Sequence, residues 1–145
     1  MKHLIQPIQL DASAEALLAE NDLPVSDLQG NSRIVLFGCI SGAQFSGIVG
    51  LELYGDVALL RSLAVSKAAR GNGLGNALVA HAERHAAQQG VHSLYLLTTT
   101  ASGFFGNLGY RSAARETAPA AIAATRQFSN LCPSSSAFMV KALGS

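Results

Sequence analysis

Charged side chains are scarce in this sequence. Asp, Glu, Lys and Arg make up 13% of its residues, against ~25% in an average soluble protein. Ten basic residues oppose nine acidic ones, so the formal net charge is +1. A chain this close to neutral has no global field that would recruit nucleic acid or an anionic membrane surface. Any binding site for an anion must therefore be local.

Cysteines and long hydrophobic runs are also lacking. Cys39 and Cys132 lie far apart and in no CxxC pair, which argues against a disulfide scaffold or a cysteine zinc site and favours the cytoplasm. No uninterrupted apolar stretch approaches the ~20 residues of a membrane span. Polar residues and Pro7 interrupt residues 1–20 before a signal-peptide core forms. The sequence therefore predicts a soluble, unexported protein.

Apolar residues, in contrast, are abundant. They supply 49% of the 145 residues, enough to bury a full core and to argue against disorder. The length matches one ordinary domain of roughly 100–200 residues, and neither an internal repeat nor a low-complexity linker divides it. We therefore expect a single domain over residues 1–145.

Hydrophobic periodicity predicts a mixed α/β (α+β) fold. Three strand-like runs, at residues 34–40, 45–53 and 57–65, are separated by turns of hairpin length and predict an antiparallel meander. A helix pattern at 73–89 and an apolar strand at 93–99 follow, which together with the strand at 57–65 make a βαβ unit with two parallel strands. Helices at 11–20, capped by Asp11 or Ser13, and at 102–108, with a last strand at 137–143, complete the prediction.

The most informative segment is the glycine-rich turn between the strand at 57–65 and the helix at 73–89. It reads Arg70-Gly71-Asn72-Gly73-Leu74-Gly75-Asn76. Glycine removes Cβ atoms where an anion has to approach main-chain N–H groups, and the amides of a first helical turn carry the positive end of the helix dipole. Arg70 adds a fixed charge. The pattern predicts a cradle for a phosphate; the alternative is that the glycines only tighten a turn.

Two common phosphate loops do not fit this segment. A dinucleotide loop needs G-x-G-x-x-G, but position 76 is Asn, and the next strand ends in threonines rather than in the acid that binds a ribose. A nucleoside-triphosphate loop needs Gly-Lys-Ser/Thr before the helix, and the segment has none. What remains is R-x-x-G-x-G, formed by Arg70, Gly73 and Gly75.

This remaining motif resembles the pyrophosphate loop of the GCN5-related N-acetyltransferase (GNAT) superfamily, which binds acetyl-coenzyme A. A second segment, residues 101–110, reads A-x-x-F-F-x-x-L-G-Y and is similar to that family's A-x-x-F-Y-x-x-x-G-F. Two linked motifs in the right order make the resemblance specific, and it covers most of the chain. It implies a single GNAT-like domain, 1–145, in which two central parallel strands splay apart into a V-shaped slot.

The resemblance also implies a set of cofactor-binding residues. Main-chain groups of the strand would pair with the pantetheine arm, main-chain amides of the loop would hold the pyrophosphate, and two further residues would line the cofactor's far side. The strand residues are Leu63, Ala64 and Val65; the loop residues are Arg70, Gly71, Asn72, Gly73, Leu74, Gly75 and Asn76; the lining residues are Thr98 and Phe105.

Two positions depart from the family pattern. A proline that often follows the loop-entry valine is Lys67 here, which costs rigidity but no chemistry. The tyrosine that many members use to protonate the leaving thiolate is replaced by Phe105. Positioned acid catalysis contributes roughly 10²–10⁴ in rate, and a thiol of pKa about 8.5 leaves tolerably without it. Water, Tyr95 or Cys132 are the substitutes that the sequence offers.

Glu52 and Arg61 are the candidate catalytic residues. Glu52 interrupts an apolar strand one hairpin away from the cofactor strand, so it is the first candidate base for the attacking amine; the alternative is a structural ion pair or a solvated face. Arg61 lies among apolar residues, where an unpaired guanidinium would be expensive to bury. Its partner is either a neighbouring carboxylate or the acid group of an amino-acid-like substrate held in two hydrogen bonds, and the sequence favours neither.

Other polar residues carry weaker hypotheses. Asp56 lies in a turn, where fixing the backbone is its expected role. His81 and His85 have a helical spacing that can hold zinc, but the order His-Ala-Glu-Arg-His and the lack of a third ligand argue for packing residues and against a metal site.

The acceptor side of the slot is expected from residues 21–28 and 117–136, with Thr125, Gln127 and Ser135 as polar contacts. Residues 125–133, taken with 23–25 and Arg61-Ser62, resemble small acetyltransferases associated with arsenic-resistance clusters. Some members of that group acetylate amino acids bearing a phosphinate or arsenic acid.

These observations predict an acetyl-CoA-dependent N-acetyltransferase in which a small-molecule amine attacks the thioester directly. Glu52 or a water would accept the proton, and Arg61 would orient an acidic substrate. The alternative is a non-catalytic coenzyme A-binding sensor or interaction module, for which Phe105 is the best support. The resemblance also allows a homodimer, since small members of this family often pair through their sheets, although no residue fixes an interface.

Overall fold

The computed structural model describes residues 4–21, 23, 33–41, 44–71, 73–98, 101–125 and 137–143. Their core is one mixed sheet of seven strands in the order β1-β2-β3-β4-β5-β7-β6, covered by helices on both faces. The strands are β1 (Ile5–Ile8), β2 (Ile34–Ser41), β3 (Gln44–Tyr54), β4 (Val57–Val65), β5 (Ser93–Thr98), β6 (Arg111–Ser112) and β7 (Ala137–Ala142). The helices are α1 (Ala12–Glu20), α2 (Leu74–Gln88), α3 (Ser102–Asn107) and α4 (Ala120–Ala123).

The predicted fold class is confirmed. Strands β2, β3 and β4 form the antiparallel meander, and β4 and β5 are parallel neighbours joined through α2. Asp11 caps α1, because its Oδ1 accepts a hydrogen bond from the Ala14 amide at 2.9 Å. The strands β1 and β6 and the helix α4 were not predicted. With lengths of four, two and four residues, they are too short to show a periodicity, and Pro7 within β1 argues locally against a strand.

The two faces of the sheet bury different helices. One face packs against the apolar stripe of α2, which comprises Leu74, Leu78, Val79, Ala82 and Ala86. The opposite face carries α1 over one group of apolar residues and α4 over another. None of the helices in the described part of the chain combines the length and apolar content that a membrane crossing needs.

The central parallel pair separates along its length. The pairing of β4 with β5 runs from Val57 opposite Ser93 to Leu60 opposite Leu96. Beyond that point β4 stays with β3 as far as Val65, while β5 stays with β7 as far as Thr98. Within the described residues, a gap therefore opens between the two strands, as the expected V-shaped slot requires.

Candidate active site

One wall of the gap is the second half of β4. The Ser66 amide donates to the Ser46 carbonyl of β3 at 2.8 Å, and Val65 lies opposite Gly47. Main-chain groups alternate in direction along an extended strand, so those of Leu63 and Val65 point away from β3 and toward the gap. The prediction named Leu63, Ala64 and Val65 together. Of these, Ala64 has its main chain toward β3 and its side chain buried under α1.

The predicted phosphate loop connects this wall to α2. Gly71 and Gly73 have φ of +88° and +83°, a left-handed conformation that L side chains rarely adopt. A Cβ at either glycine would meet no atom within 4 Å, so backbone conformation rather than crowding requires glycine there. Gly73 is the N-cap of α2 and forms no side-chain cap. The loop thus presents its main chain at a helix N-terminus, as an anion cradle does; Asn72 lies outside the described residues.

The third glycine of the motif has a different role. Gly75 lies within α2, and a Cβ there would come within 3.3 Å of the Phe104 Cζ atom. Its small size therefore lets α3 pack against the first turn of α2. Leu74 is buried in the core and Asn76 is exposed. Phe104, which the sequence interpretation did not single out, thus lies beside the loop.

Arg70 is exposed and ties the loop to two other elements. Its Nε donates to the Val65 carbonyl at 3.2 Å, and its Nη2 donates to Asn21 Oδ1 at 3.0 Å. The guanidinium thus links the end of α1, the end of β4 and the loop. The sequence predicted a positive charge beside the cradle, but it gave no signal for Asn21 as its partner.

Thr98 and Phe105 lie at the other side of the gap. The Thr98 Oγ1 atom accepts a hydrogen bond from the Ala101 amide at 3.0 Å, so it links the end of β5 to the residue before α3. Phe105 is 6% exposed and packs edge-on against Phe104 and Tyr110, with ring centroids 5.1 and 5.6 Å apart. Thr98 thus has a hydrogen-bonding role and Phe105 a packing role, and their contact with a cofactor stays a prediction.

Glu52 and Arg61 form a buried ion pair. They are 2% and 3% exposed, and Arg61 Nη1 lies 2.9 Å from Glu52 Oε1. The Tyr54 hydroxyl donates to Glu52 Oε2. Burial of Tyr54, together with its hydrogen bond to the Glu52 carboxylate, raises the pKa of Tyr54 to about 12. Of the two partners that the sequence left open for Arg61, the structure supplies the neighbouring carboxylate.

The remaining polar candidates have structural partners. The Asp56 carbonyl accepts from the His92 amide at 2.7 Å and so holds the start of β5. His81 and His85 contact the Phe37 ring edge-on, with centroids 4.7 and 5.0 Å away. Burial, with the charges of Arg84 and His85, lowers the pKa of His81. Among the described residues, no three or more His, Cys, Asp or Glu side chains gather as metal ligands would.

Two further candidates lie on the face that carries α4. Tyr95 stacks on Phe138, with ring centroids 5.4 Å apart. Thr125 is buried, and its hydroxyl donates to the Ile122 carbonyl at 2.8 Å. Gln127, Cys132 and Ser135 fall outside the described residues, so the predictions for them stay predictions.

Comparisons with known proteins bear on this arrangement. The model of the acetyltransferase (GNAT) family matches residues 6–110. An uncharacterized N-acetyltransferase from Chlorobaculum tepidum is 33% identical over 113 residues, which are 77% of this chain and 64% of the relative. This chain thus spans less than two thirds of the length of the curated relative.

Solved structures show the same fold. N-acetylglutamate synthase from Neisseria gonorrhoeae, complexed with coenzyme A and N-acetyl-glutamate, is similar with a TM-score of 0.81 at 20% identity, over 100% of this chain and 36% of that one. A Mycobacterium tuberculosis protein in complex with coenzyme A is similar with a TM-score of 0.76 at 16% identity, over 97% of this chain and 99% of that one.

Proposed function

This chain belongs to the acetyltransferase (GNAT) family, and on that premise we propose that it transfers the acetyl group of acetyl-coenzyme A to a small-molecule amine. One observation carries the proposal: the glycine loop at the N-terminus of α2 adjoins the half of β4 whose main chain faces the gap. An anion cradle and a strand edge that pairs with no other described strand are what a pyrophosphate followed by an extended amide-containing arm needs.

The coenzyme would be held mainly by main-chain groups. The amides at the start of α2 suit the pyrophosphate, because Gly71 and Gly73 themselves carry no side chains that would block its approach. The main-chain groups of Leu63 and Val65 suit the pantetheine arm. In this arrangement the coenzyme supplies an activated acetyl thioester beside the gap. Coenzyme A in two structures of the same fold supports this assignment.

The amine attacks the thioester carbonyl directly. A C–N bond forms, the C–S bond breaks, and the sulfur leaves as a thiolate that takes a proton from solvent. The main-chain N–H groups of Leu63 and Val65, which face the gap, polarise the carbonyl. Phe105 has no proton to give, and a thiol with a pKa of about 8.5 leaves tolerably as thiolate.

The proton of the attacking amine needs an acceptor. Glu52 was one candidate, but its carboxylate is buried and already accepts hydrogen bonds from Arg61 and Tyr54. A water in the gap accepts the proton without breaking an ion pair. We therefore assign the acceptance of the amine proton to water. The variant Glu52→Gln tests the alternative that Glu52 accepts this proton.

For the acceptor, we propose an amino-acid-like amine that bears an acidic group. N-acetylglutamate synthase, which has the same fold over the matched part, is complexed with N-acetyl-glutamate, the acetylated form of an acidic amino acid, and this supports the proposal. The similarity of residues 125–133 to acetyltransferases associated with arsenic resistance extends the class to amino acids with a phosphinate or arsenic acid, and thus to a detoxifying role.

The test is thiol release from acetyl-coenzyme A with a panel of amines, namely acidic amino acids, their phosphinate and arsenic analogues, and neutral amines. We expect release with at least one acidic amine and slower release with its neutral counterpart. Calorimetry measures binding of coenzyme A in parallel. Binding without release for any acceptor would contradict the enzyme assignment and favour a coenzyme sensor, and absence of binding would contradict both.

A further inference from the structure

A β-bulge interrupts β4 at the mouth of the gap. Gly50 of β3 lies opposite Arg61, whereas Ile48 lies opposite Ala64. Val49 therefore faces two residues of β4, Ser62 and Leu63, which is the arrangement of a bulge. Ser62 has φ of +58°, and it is the only described residue other than glycine with a positive φ. Such a conformation costs a serine free energy, so the surrounding structure has to hold it.

Buried side chains surround this bulge. Arg61 Nε donates to the Ser62 Oγ atom at 3.2 Å, and Arg61 Nη1 donates to Glu52 Oε1 at 2.9 Å. Gly50 makes room for this arrangement, because a Cβ there would lie 3.4 Å from the Arg61 Cγ atom and 3.0 Å from a Leu36 methyl group. We name Glu52, Arg61 and Ser62 the bulge clamp. It ties the bulge to the neighbouring strand β3.

The position of the bulge clamp relates it to the proposed chemistry. Leu60 is the last residue of β4 that pairs with β5, so Arg61 and Ser62 are the first two residues beyond that pairing. Leu63 and Val65, whose main chain faces the gap, follow directly. A rotation of the backbone at Ser62 therefore changes the direction of the N–H groups that the proposed function places beside the thioester.

The clamp also combines two costly features in adjacent residues. A buried ion pair often contributes no more stability than apolar residues of similar volume, and a serine in the left-handed region is strained. Strain of this kind persists mainly where it serves a function. General stability of the core is therefore a poor explanation for this arrangement.

We propose that the bulge clamp fixes the direction of the main chain at Leu63–Val65, so that Arg61 and Glu52 are positioning residues and not ligands or bases for the acceptor. This inference rests on the proposed function for its catalytic meaning. Its structural part is that the clamp orders the second half of β4, and this part can be tested on the protein without any ligand.

The test replaces the ion pair by apolar side chains of similar length in the double variant Glu52→Met/Arg61→Met, which avoids leaving one charge buried alone. Arg84→Met, at an exposed arginine of α2, is the matched control. Amide hydrogen exchange of the protein without ligand reports order in β4, and thiol release reports turnover.

In the double variant we expect a folded protein with faster exchange at Leu63–Val65 and unchanged exchange in β2. We expect kcat to fall about 10- to 100-fold, as a misplacement of about 1 Å does, and the affinity for coenzyme A to fall as well, because the same main chain would pair with the pantetheine arm. The KM for the acceptor should change little. Arg61→Lys, which keeps the charge, gives a smaller loss of kcat if it restores the contact with Glu52.

Three results would overturn the proposal. Wild-type exchange and kcat in the double variant would show that the pair only fills the core. A rise in KM confined to acidic acceptors would make Arg61 a substrate ligand. Loss of turnover with normal exchange at Leu63–Val65, together with a shifted pH profile in Glu52→Gln, would make Glu52 the base. If the wild-type protein neither binds coenzyme A nor releases thiol, the proposed function fails, and exchange alone decides whether the clamp orders β4.

Discussion

The phosphate loop and the bulge clamp lie at the two ends of the same half-strand, and they depend on different parts of the chain. In the proposed function the loop acts through main-chain amides, and it requires glycine at Gly71 and Gly73 for their positive φ. The clamp acts through side chains that meet across two strands, Glu52 on β3 and Arg61 on β4. A site built from main-chain groups can be recognised in the sequence by its glycines. The role of side chains such as Glu52 and Arg61 depends on which residues they contact in the folded protein.

The largest effect on stability should come from breaking the clamp on one side. Arg61→Met leaves the Glu52 carboxylate buried without its cation, which costs about 3–5 kcal/mol of unfolding free energy. Denaturant unfolding measures it. Because the double variant Glu52→Met/Arg61→Met removes both charges, we expect it to regain most of this loss, and equal losses in the two variants would argue that the pair is not coupled.

The next largest effect concerns the loop. Gly73→Val forces a β-branched residue into φ of +83° and reorients the amides of the cradle. Each hydrogen bond to a charged group contributes about 1.5–3 kcal/mol, so we expect the Kd for coenzyme A to rise roughly 10- to 100-fold, measured by calorimetry.

Gly55→Val is the matched control for the loop. Gly55 has φ of +75° and, like Gly73, would place its Cβ within 4 Å of no atom, but it lies in the β3–β4 turn, away from the gap. We expect similar destabilisation and an unchanged Kd. An unchanged Kd in Gly73→Val would remove the basis of the proposed cofactor site.

A smaller effect is expected at Ser62, where the clamp meets the bulge. Ser62→Gly relieves the strain but loses the hydroxyl that Arg61 binds, whereas Ser62→Val loses the hydroxyl and worsens the strain by about 1–3 kcal/mol. We expect Ser62→Val to lower both stability and kcat more than Ser62→Gly. The reverse order would mean that the positive φ is not required for turnover.

The smallest effect is on the pH dependence of stability. The pKa of Tyr54 is raised from 10.0 to about 12, so the neutral phenol is favoured in the folded protein. Its contribution is complete below pH about 10 and is lost as the pH rises toward about 12. Tyr54→Phe should therefore flatten the fall of stability in this window. An ultraviolet titration that finds Tyr54 ionising near its ordinary pKa would contradict the hydrogen bond to Glu52.

Much of the fold was predictable from local patterns. The meander, α2 and the β4–α2–β5 crossover have long periodic segments with clear turn signals, and all three were predicted. Strand β1 was missed because its four residues include Pro7, and its pairing with β2 is decided by a partner some thirty positions away in the chain, with Ile5 opposite Cys39. The residues near β1 in the sequence carry no information about this distant pairing.

The site divides in the same way. The sequence predicted the loop and the strand beside it, and it identified Glu52 and Arg61 as unusual charges in apolar strands. It left an ion pair open for each of them but did not identify the two as partners. It did not predict the bulge at Ser62, because serine carries no preference that marks a positive φ. It also missed the contact of Phe104 with Gly75 and the bond of Asn21 to Arg70, which join elements distant in the chain.

The sequence by itself identified the glycine loop, because glycine is the residue type that adopts a positive φ without a steric cost, and this property depends on residue type alone. It also determined the order of the strands and helices other than the short β1, β6 and α4, because the longer elements show a periodicity. Only the tertiary structure decided where β4 leaves β5, which residue bulges and which carboxylate faces Arg61. These depend on the register between strands, and a one-residue shift of register carries every side chain to the other face of the sheet.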